Sequence, residues 1–341
     1  MKRTLFAIAA LALVTSTPAW GQVTLPHYEP INYTVGDSLQ VQTNWTALNS
    51  GDPLMITSGN LTYTGLSTPT GNKFSFDGAG RDAAKQFTQQ TSGTIYYSFP
   101  INITALGSLN TTGGYFTGFN EGTGTNFGGT VWTRQDGSGF DLGINPRTTA
   151  ANTVWSSGTQ TVNTTLFVVI SYEIVTGSAN DVVNLWLNPS PAYFGASTPP
   201  SATLTATNTT GTDLTNVNRI IIRQDATTAT PFIEMDELRI GTTWASVTPA
   251  GEPTSQASGV GFNAVQSNQM NVTWTRGNGA NCIVVAKAGS AVDGDPADGT
   301  SYTADAAFGN GTQIGTGNYV VYKGTGTSVT EIGRASCRER V

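Results

Sequence analysis

The chain is poor in the residues on which most neutral-pH catalysis depends. It has one histidine, His27, and two cysteines in 341 residues. A Ser-His-Asp or Cys-His arrangement needs an imidazole base beside its nucleophile, and a zinc site needs several His or Cys ligands. Neither can be assembled, and His27 reads as an ordinary surface or packing residue. Cys337 falls in an aberrant tail, which leaves Cys282 in the apolar run Cys282–Ala286 as a small hydrophobe. With no disulfide framework, the fold must be held by its core. Helical periodicity is nearly absent. No apolar run is long enough to span a bilayer. Gly122–Gly129 is glycine-rich, but no helix follows it, so it reads as a loop and not a phosphate cradle.

The two ends differ from the rest. Lys2 and Arg3, the apolar run Leu5–Val14 and Ala19-Trp20-Gly21 form an export signal over residues 1–21, cleaved before Gln22. The last residues, E-I-G-R-A-S-C-R-E-R-V, resemble the read-through translation of a sequencing-library adapter. Residues 332–341 are accordingly read as an artefact, and the natural C-terminus as missing. Setting aside Lys2, Arg3, Arg334, Arg338, Arg340 and Glu339 leaves 11 Lys+Arg against 21 Asp+Glu of the chain's 16 and 22. This acidic balance argues against nucleic acid, whose phosphates need clustered Lys and Arg.

What the chain does contain is short runs of β-branched and aromatic residues, punctuated by Gly, Asn, Asp and Pro. That pattern predicts an all-β protein, with about a dozen strands before residue 248 arranged as a jelly-roll sandwich. Leu166–Val175 reads as a long central strand. Asp181–Asn188 alternates, with Val183, Leu185 and Leu187 on one face and Asn184, Trp186 and Asn188 on the other. Gln135–Gly139 reads as a hairpin turn. Thr248–Ser258 has linker composition.

Three segments carry a family resemblance: V-V-I-S-Y within Leu166–Val175, D-V-V-N-L-W-L-N-P from Asp181, and M-D-E-L-R-I-G from Met235. In this order they resemble the laminin-G-like (LamG) branch of concanavalin A-like domains in secreted proteins of the Bacteroidetes. The resemblance covers residues 22–247 and implies a jelly-roll sandwich. V-T-W-T at Val272–Thr275 resembles the second strand of fibronectin type III domains, whose Trp packs in the core. Residues 259–331 have room for about five of that fold's seven strands, so this domain is expected to be incomplete.

The closing strand Phe232–Ile240 holds the tightest carboxylate cluster, Glu234, Asp236 and Glu237. In a regular strand Glu234 and Asp236 share a face with Phe232, Leu238 and Ile240, while Ile233 and Met235 lie opposite. The apolar face thus changes side near Asp236, which predicts a bulge or a buried, hydrogen-bonded Asp236. Laminarinase-type hydrolases of the same sandwich carry E-x-D-x-x-E on one strand. Glu234 and Asp236 match, but Arg239 stands in the third place, and a guanidinium cannot deliver a proton. The expectation is therefore no enzyme, with Asp236 tied to backbone N–H groups and Glu237 with Arg239 as an exposed pair.

Sugar binding needs aromatic platforms beside amides and charges. Trp186 flanked by Asn184 and Asn188 is the leading candidate, with Trp132, Arg134 and Tyr172 as neighbours; packing in the core or at its rim is the competing role for Trp186. No cofactor is expected. Ca²⁺ held by Asp136, Asp141 and Asp181 stays open, although no ligand spacing supports it and turn formation suits these residues. The expected protein is exported or displayed at the cell surface, binds a polysaccharide or surface glycan, and inserts in no membrane. The alternative is a pair of accessory domains from a larger exported hydrolase or nuclease.

Overall fold

The computed structural model describes residues 21–333 except 254, 280, 298 and 299. The export signal up to residue 20 and the tail from residue 334 lie outside the described residues. The described chain is almost entirely strands and turns, as the alternating pattern predicts. It divides into two compact units that part after Pro249. The first unit runs two residues past Val247. Ser67 N–H bonds the Pro249 carbonyl at 3.1 Å, and Gly195 N–H bonds that of Thr248 at 2.7 Å.

Two sheets build the first unit. Sheet I has eight strands, among them Ala83–Gln90, Val217–Ile222, Gly114–Asn120, Phe127–Asp136 and Gly139–Asn145 as successive neighbours. Sheet II has nine. Its main path runs Leu204–Thr207, Val182–Leu187, Thr165–Ile174, Gly93–Ala105, Phe232–Met235, Lys73–Phe76 and Met55–Thr57. Alternate residues of each strand face inward. Phe119, Val131, Leu142 and Ile220 of sheet I join Phe99, Ile101, Ile170 and Leu185 of sheet II in one core. Each is fully buried, and burying such a side chain is worth about 1.5–3 kcal/mol.

The closing strand is where the predicted irregularity falls. Met235 pairs with Ile101 and Arg239 with Ser98. Four residues advance on one strand while three advance on the other, so one residue is extra. Glu237 absorbs it at φ 50°. This bulge resets the alternation. Ile233, Met235, Leu238 and Ile240 all enter the core, and the expectation that Leu238 and Ile240 share a face with Glu234 is corrected. The driving force is burial: without the extra residue, two of these four apolar side chains would face outward.

The bulge also seals two acids. Asp236 Oδ2 accepts Leu61 N–H at 2.9 Å, and Oδ1 accepts Glu237 N–H at 2.8 Å. Burial pushes its carboxyl up to about 7, against the pull of those two bonds. Glu237 meets Arg239 Nη2 at 2.8 Å and accepts Tyr28 O–H at 2.6 Å and Thr70 N–H at 3.1 Å. The side chains of Arg239 and Glu237 are 6% and 3% exposed, so the pair expected at the surface is buried. A buried pair offsets its desolvation only when its remaining lone pairs are filled, and the Tyr28 and Thr70 donors fill them.

The second unit carries two three-stranded sheets. Gln269–Thr275 lies between Ser258–Asn263 and Ser328–Ile332, and Asn318–Gly324 lies between Cys282–Lys287 and Gln313–Ile314. Trp274 packs with Val272, Val284 and Val321. Cys282 is half-buried, its thiol 3.4 Å from the Gly324 carbonyl. Ile332, assigned from sequence to the aberrant tail, pairs with Gln269 and donates its N–H to the Ala306 carbonyl at 2.7 Å.

Candidate functional site

The residues singled out from sequence stand in two places. Trp132 and Arg134 project from the outer face of sheet I. Trp132 is 4% exposed and donates Nε1–H to Thr130 Oγ1 at 2.9 Å. It lies in a row with Tyr115, Gly143 and Trp155 on neighbouring strands. Arg134 is held to Asp141 by Nε and Nη2 at 2.9 and 2.8 Å, and its guanidinium lies 4.4 Å over the Trp155 ring. These groups satisfy one another and leave the ring faces occupied.

Trp186, Asn184 and Asn188 belong to sheet II. Trp186 is 5% exposed, donates to the Pro200 carbonyl at 2.9 Å and packs edge-on against Trp244 at 5.0 Å. Phe167, Val169, Phe194 and Val247 complete this second apolar cluster. Asn184 bonds Ser171 Oγ at 3.2 Å and Thr205 Oγ1 at 2.7 Å. Asn188 takes φ 52° after the strand and accepts Phe167 N–H at 2.8 Å. Trp186 thus packs, Asn184 ties its strand to both neighbours, and Asn188 ends the strand.

The aspartates weighed for Ca²⁺ are separately engaged. Asp136 accepts Thr159 Oγ1–H, and Asp141 holds Arg134. Asp181 accepts Tyr172 O–H at 2.5 Å and Val175 N–H at 2.8 Å. Among the described residues no three His, Cys, Asp or Glu side chains group so as to hold a metal ion.

An open cleft lies instead where Glu234 emerges, before the bulge. It has a volume of about 430 Å³, and Asp52, Asp77 and Glu234 are among its lining residues. Glu234 pairs across the strands with Asn102 and Ser75, and Ser75 with Met55. These residues therefore share the outer face of sheet II. Lys73, two residues before Ser75, shares it too, and its Nζ meets Glu234 Oε1 at 2.7 Å. Asn102 Nδ2–H reaches Glu234 Oε2 at 3.3 Å, while Asn102 Oδ1 and Thr57 Oγ1 have no hydrogen-bond partner among the described residues.

Loops wall the cleft. Gln224, 5% exposed, clamps them: Nε2 donates to the carbonyls of Asp52 at 2.8 Å and Arg81 at 2.9 Å, and Oε1 accepts Asp77 N–H at 3.2 Å. Gly80 is required beside this clamp, since a Cβ there would lie 2.3 Å from Gln224 Nε2. The clamp sets Asp52 and Asp77 in the lining with Glu234. Burial, and then the charge of Asp52, push the Asp77 carboxyl up. Phe232, 46% exposed, also lines the cleft, and a Cβ at Gly107 would lie 2.9 Å from its ring.

Sequence reasoning found Glu234 but missed Phe232, Lys73, Asp52 and Asp77. The alternation K-F-S-F at Lys73–Phe76 held a signal for Lys73 and Ser75 as an outward pair. The two aspartates sit on loops, where no periodicity marks them.

No protein-family model matches the chain, and no curated protein matches it. It is similar to solved structures of carbohydrate-active proteins. One is an engineered GH43 glycoside hydrolase with endo-xylanase and exo-arabinofuranosidase activity, at TM-score 0.40 and 9% identity, over 70% of this chain and 42% of that one. Another is domain 4 of the GH43 extracellular arabinanase AbnA from Geobacillus stearothermophilus in complex with arabinotriose, at TM-score 0.34 and 12% identity, over 62% and 91%. A third is alginate lyase vAL-1 from Chlorella virus, at TM-score 0.30 and 9% identity, over 54% and 91%. The chain spans less than half of the GH43 hydrolase. Hydrolases and a lyase stand among these structures, so the expectation that the chain is no enzyme is withdrawn.

Proposed function

We propose that the cleft at Glu234 is a saccharide-binding site, carried on a LamG-like domain of an exported protein, with a fibronectin type III-like unit after it. One observation carries this reading: an exposed aromatic ring, Phe232, lines an open cleft together with polar groups on a sheet face. Concave sites with an apolar surface and a few convergent polar groups are the usual ligand sites. The C–H face of a sugar ring stacks on Phe232. Its hydroxyls reach Glu234, Ser75, Thr104 and the carboxylates of the loops. The test is calorimetric titration of the protein with neutral oligosaccharides. Binding is expected, weakened about tenfold or more by Phe232→Ala. No binding, or binding indifferent to Phe232→Ala, defeats the reading.

A second reading is glycoside cleavage in the same cleft. It is favoured by two carboxyl groups in unlike settings, Glu234 against the Lys73 ammonium at 2.7 Å and Asp77 with its carboxyl pushed up by burial. A glycosidase needs two carboxyl groups flanking the scissile bond, and the cleft offers such a pair. Reducing ends released from a polysaccharide, and abolished by Glu234→Gln, support it. Release that survives this substitution overturns it.

A further inference from the structure

The charges around this cleft discriminate among saccharides. Asp52, Asp77 and Glu234 line it, and no Lys, Arg or His does. Lys73, on the same sheet face, has its ammonium engaged by Glu234 at 2.7 Å. Among the described residues neither Asp52 nor Asp77 takes part in an ion pair, and the Gln224 clamp fixes both of their loops. Both residues thus line the cleft without an ion-pair partner. Burial first, and then the charge of Asp52, push the Asp77 carboxyl up.

Resting on the saccharide-binding reading, we infer that the cleft takes an amino sugar, its ammonium seated between Asp52 and Asp77 and its ring on Phe232. An ammonium supplies the missing charge and up to three N–H donors for carboxylate oxygens that lack them. The Phe232 ring adds a favourable surface for a cation. A uronic acid brings a further negative charge into a lining that holds no free positive one, so acidic glycans are excluded. An N-acetylated sugar keeps the stacking but loses the charge.

The test is calorimetric titration of the full chain with three probes of equal length: glucosamine oligomers, N-acetylglucosamine oligomers and galacturonate oligomers. The medium is held at about pH 6, below the range of an amine of this kind. Glucosamine oligomers are expected to bind about tenfold or more tighter than the acetylated ones, and galacturonate oligomers not at all. That preference is expected to shrink as salt rises from about 50 to about 500 mM. Asp52→Asn with Asp77→Asn should bring the glucosamine and acetylated oligomers to within about twofold. The salt titration needs no variant, so the inference stays testable if the double substitution does not fold. Equal affinity for the charged and acetylated oligomers, or a preference untouched by salt, overturns the inference and leaves saccharide binding standing. No binding of any probe overturns both.

Discussion

The outer face of sheet II has two halves, and they have opposite fates. Around Trp186 the face is roofed. Trp244 donates Nε1–H to the Tyr193 carbonyl at 2.8 Å, Trp186 donates to that of Pro200, and Phe194 belongs to the same apolar cluster. Around Glu234 the face stays open, with Phe232 exposed and the Lys73–Glu234 pair about one-fifth exposed. Both halves carry aromatic and polar side chains on adjacent strands. What separates them is cover. Under a roof an aromatic ring becomes core and its polar atoms find protein partners. In the open, similar groups stay available to a ligand.

The largest expected effect is on the roofed half. Trp186→Ala should lower unfolding free energy by about 3–5 kcal/mol, read from the denaturant midpoint of the first unit's transition. A loss under about 1 kcal/mol would mean that the roof contributes little and that the contrast between the halves fails.

Next comes the sealed acid beside the bulge. The native Asp236 carboxyl takes up its proton near 7, against the ordinary 3.8. Between those values the native chain holds more protons than the unfolded one, so falling pH stabilises it. The burial cost is fully felt above about 7 and gone below about 4. Relative to Asp236→Asn, which does not titrate, the parent should gain up to roughly 4 kcal/mol as pH falls through that window. A flat difference between parent and variant would show that Asp236 is not sealed as described.

The open half should hardly register in stability. Glu234→Gln breaks a partly exposed ion pair and should cost no more than about 1 kcal/mol. Phe232→Ala should change stability by only about 0.5 kcal/mol in either direction, while weakening saccharide binding. A cooperative loss of stability from Phe232→Ala would make the ring part of the fold and reverse its assignment.

Much of the architecture was legible in the order of residues. Alternation in Val182–Leu187 and Phe232–Met235 marks strands because a pleated chain turns successive side chains to opposite faces. The clash of apolar phase around Asp236 located the bulge, since core burial outweighs a regular ladder. The mismatch at Arg239 spoke against a three-acid strand motif, but it could not speak for acids on other segments. The scarcity of histidine likewise narrowed the chemistry without any structure.

Three matters were decided only in three dimensions. The roof over Trp186 comes from residues 193–200 and from Trp244, and a strand's own pattern does not say what will lie on its outer face. The burial of Glu237 with Arg239 depends on Tyr28 and on Thr70, more than 160 residues away. The cleft is assembled by the Gln224 clamp from loops around Asp52 and Asp77, separated from it by 172 and 147 residues. Local sequence determines which way a side chain points along its strand. Whether that direction leads to core, partner or solvent depends on distant segments, because burial and charge are properties of the packed whole.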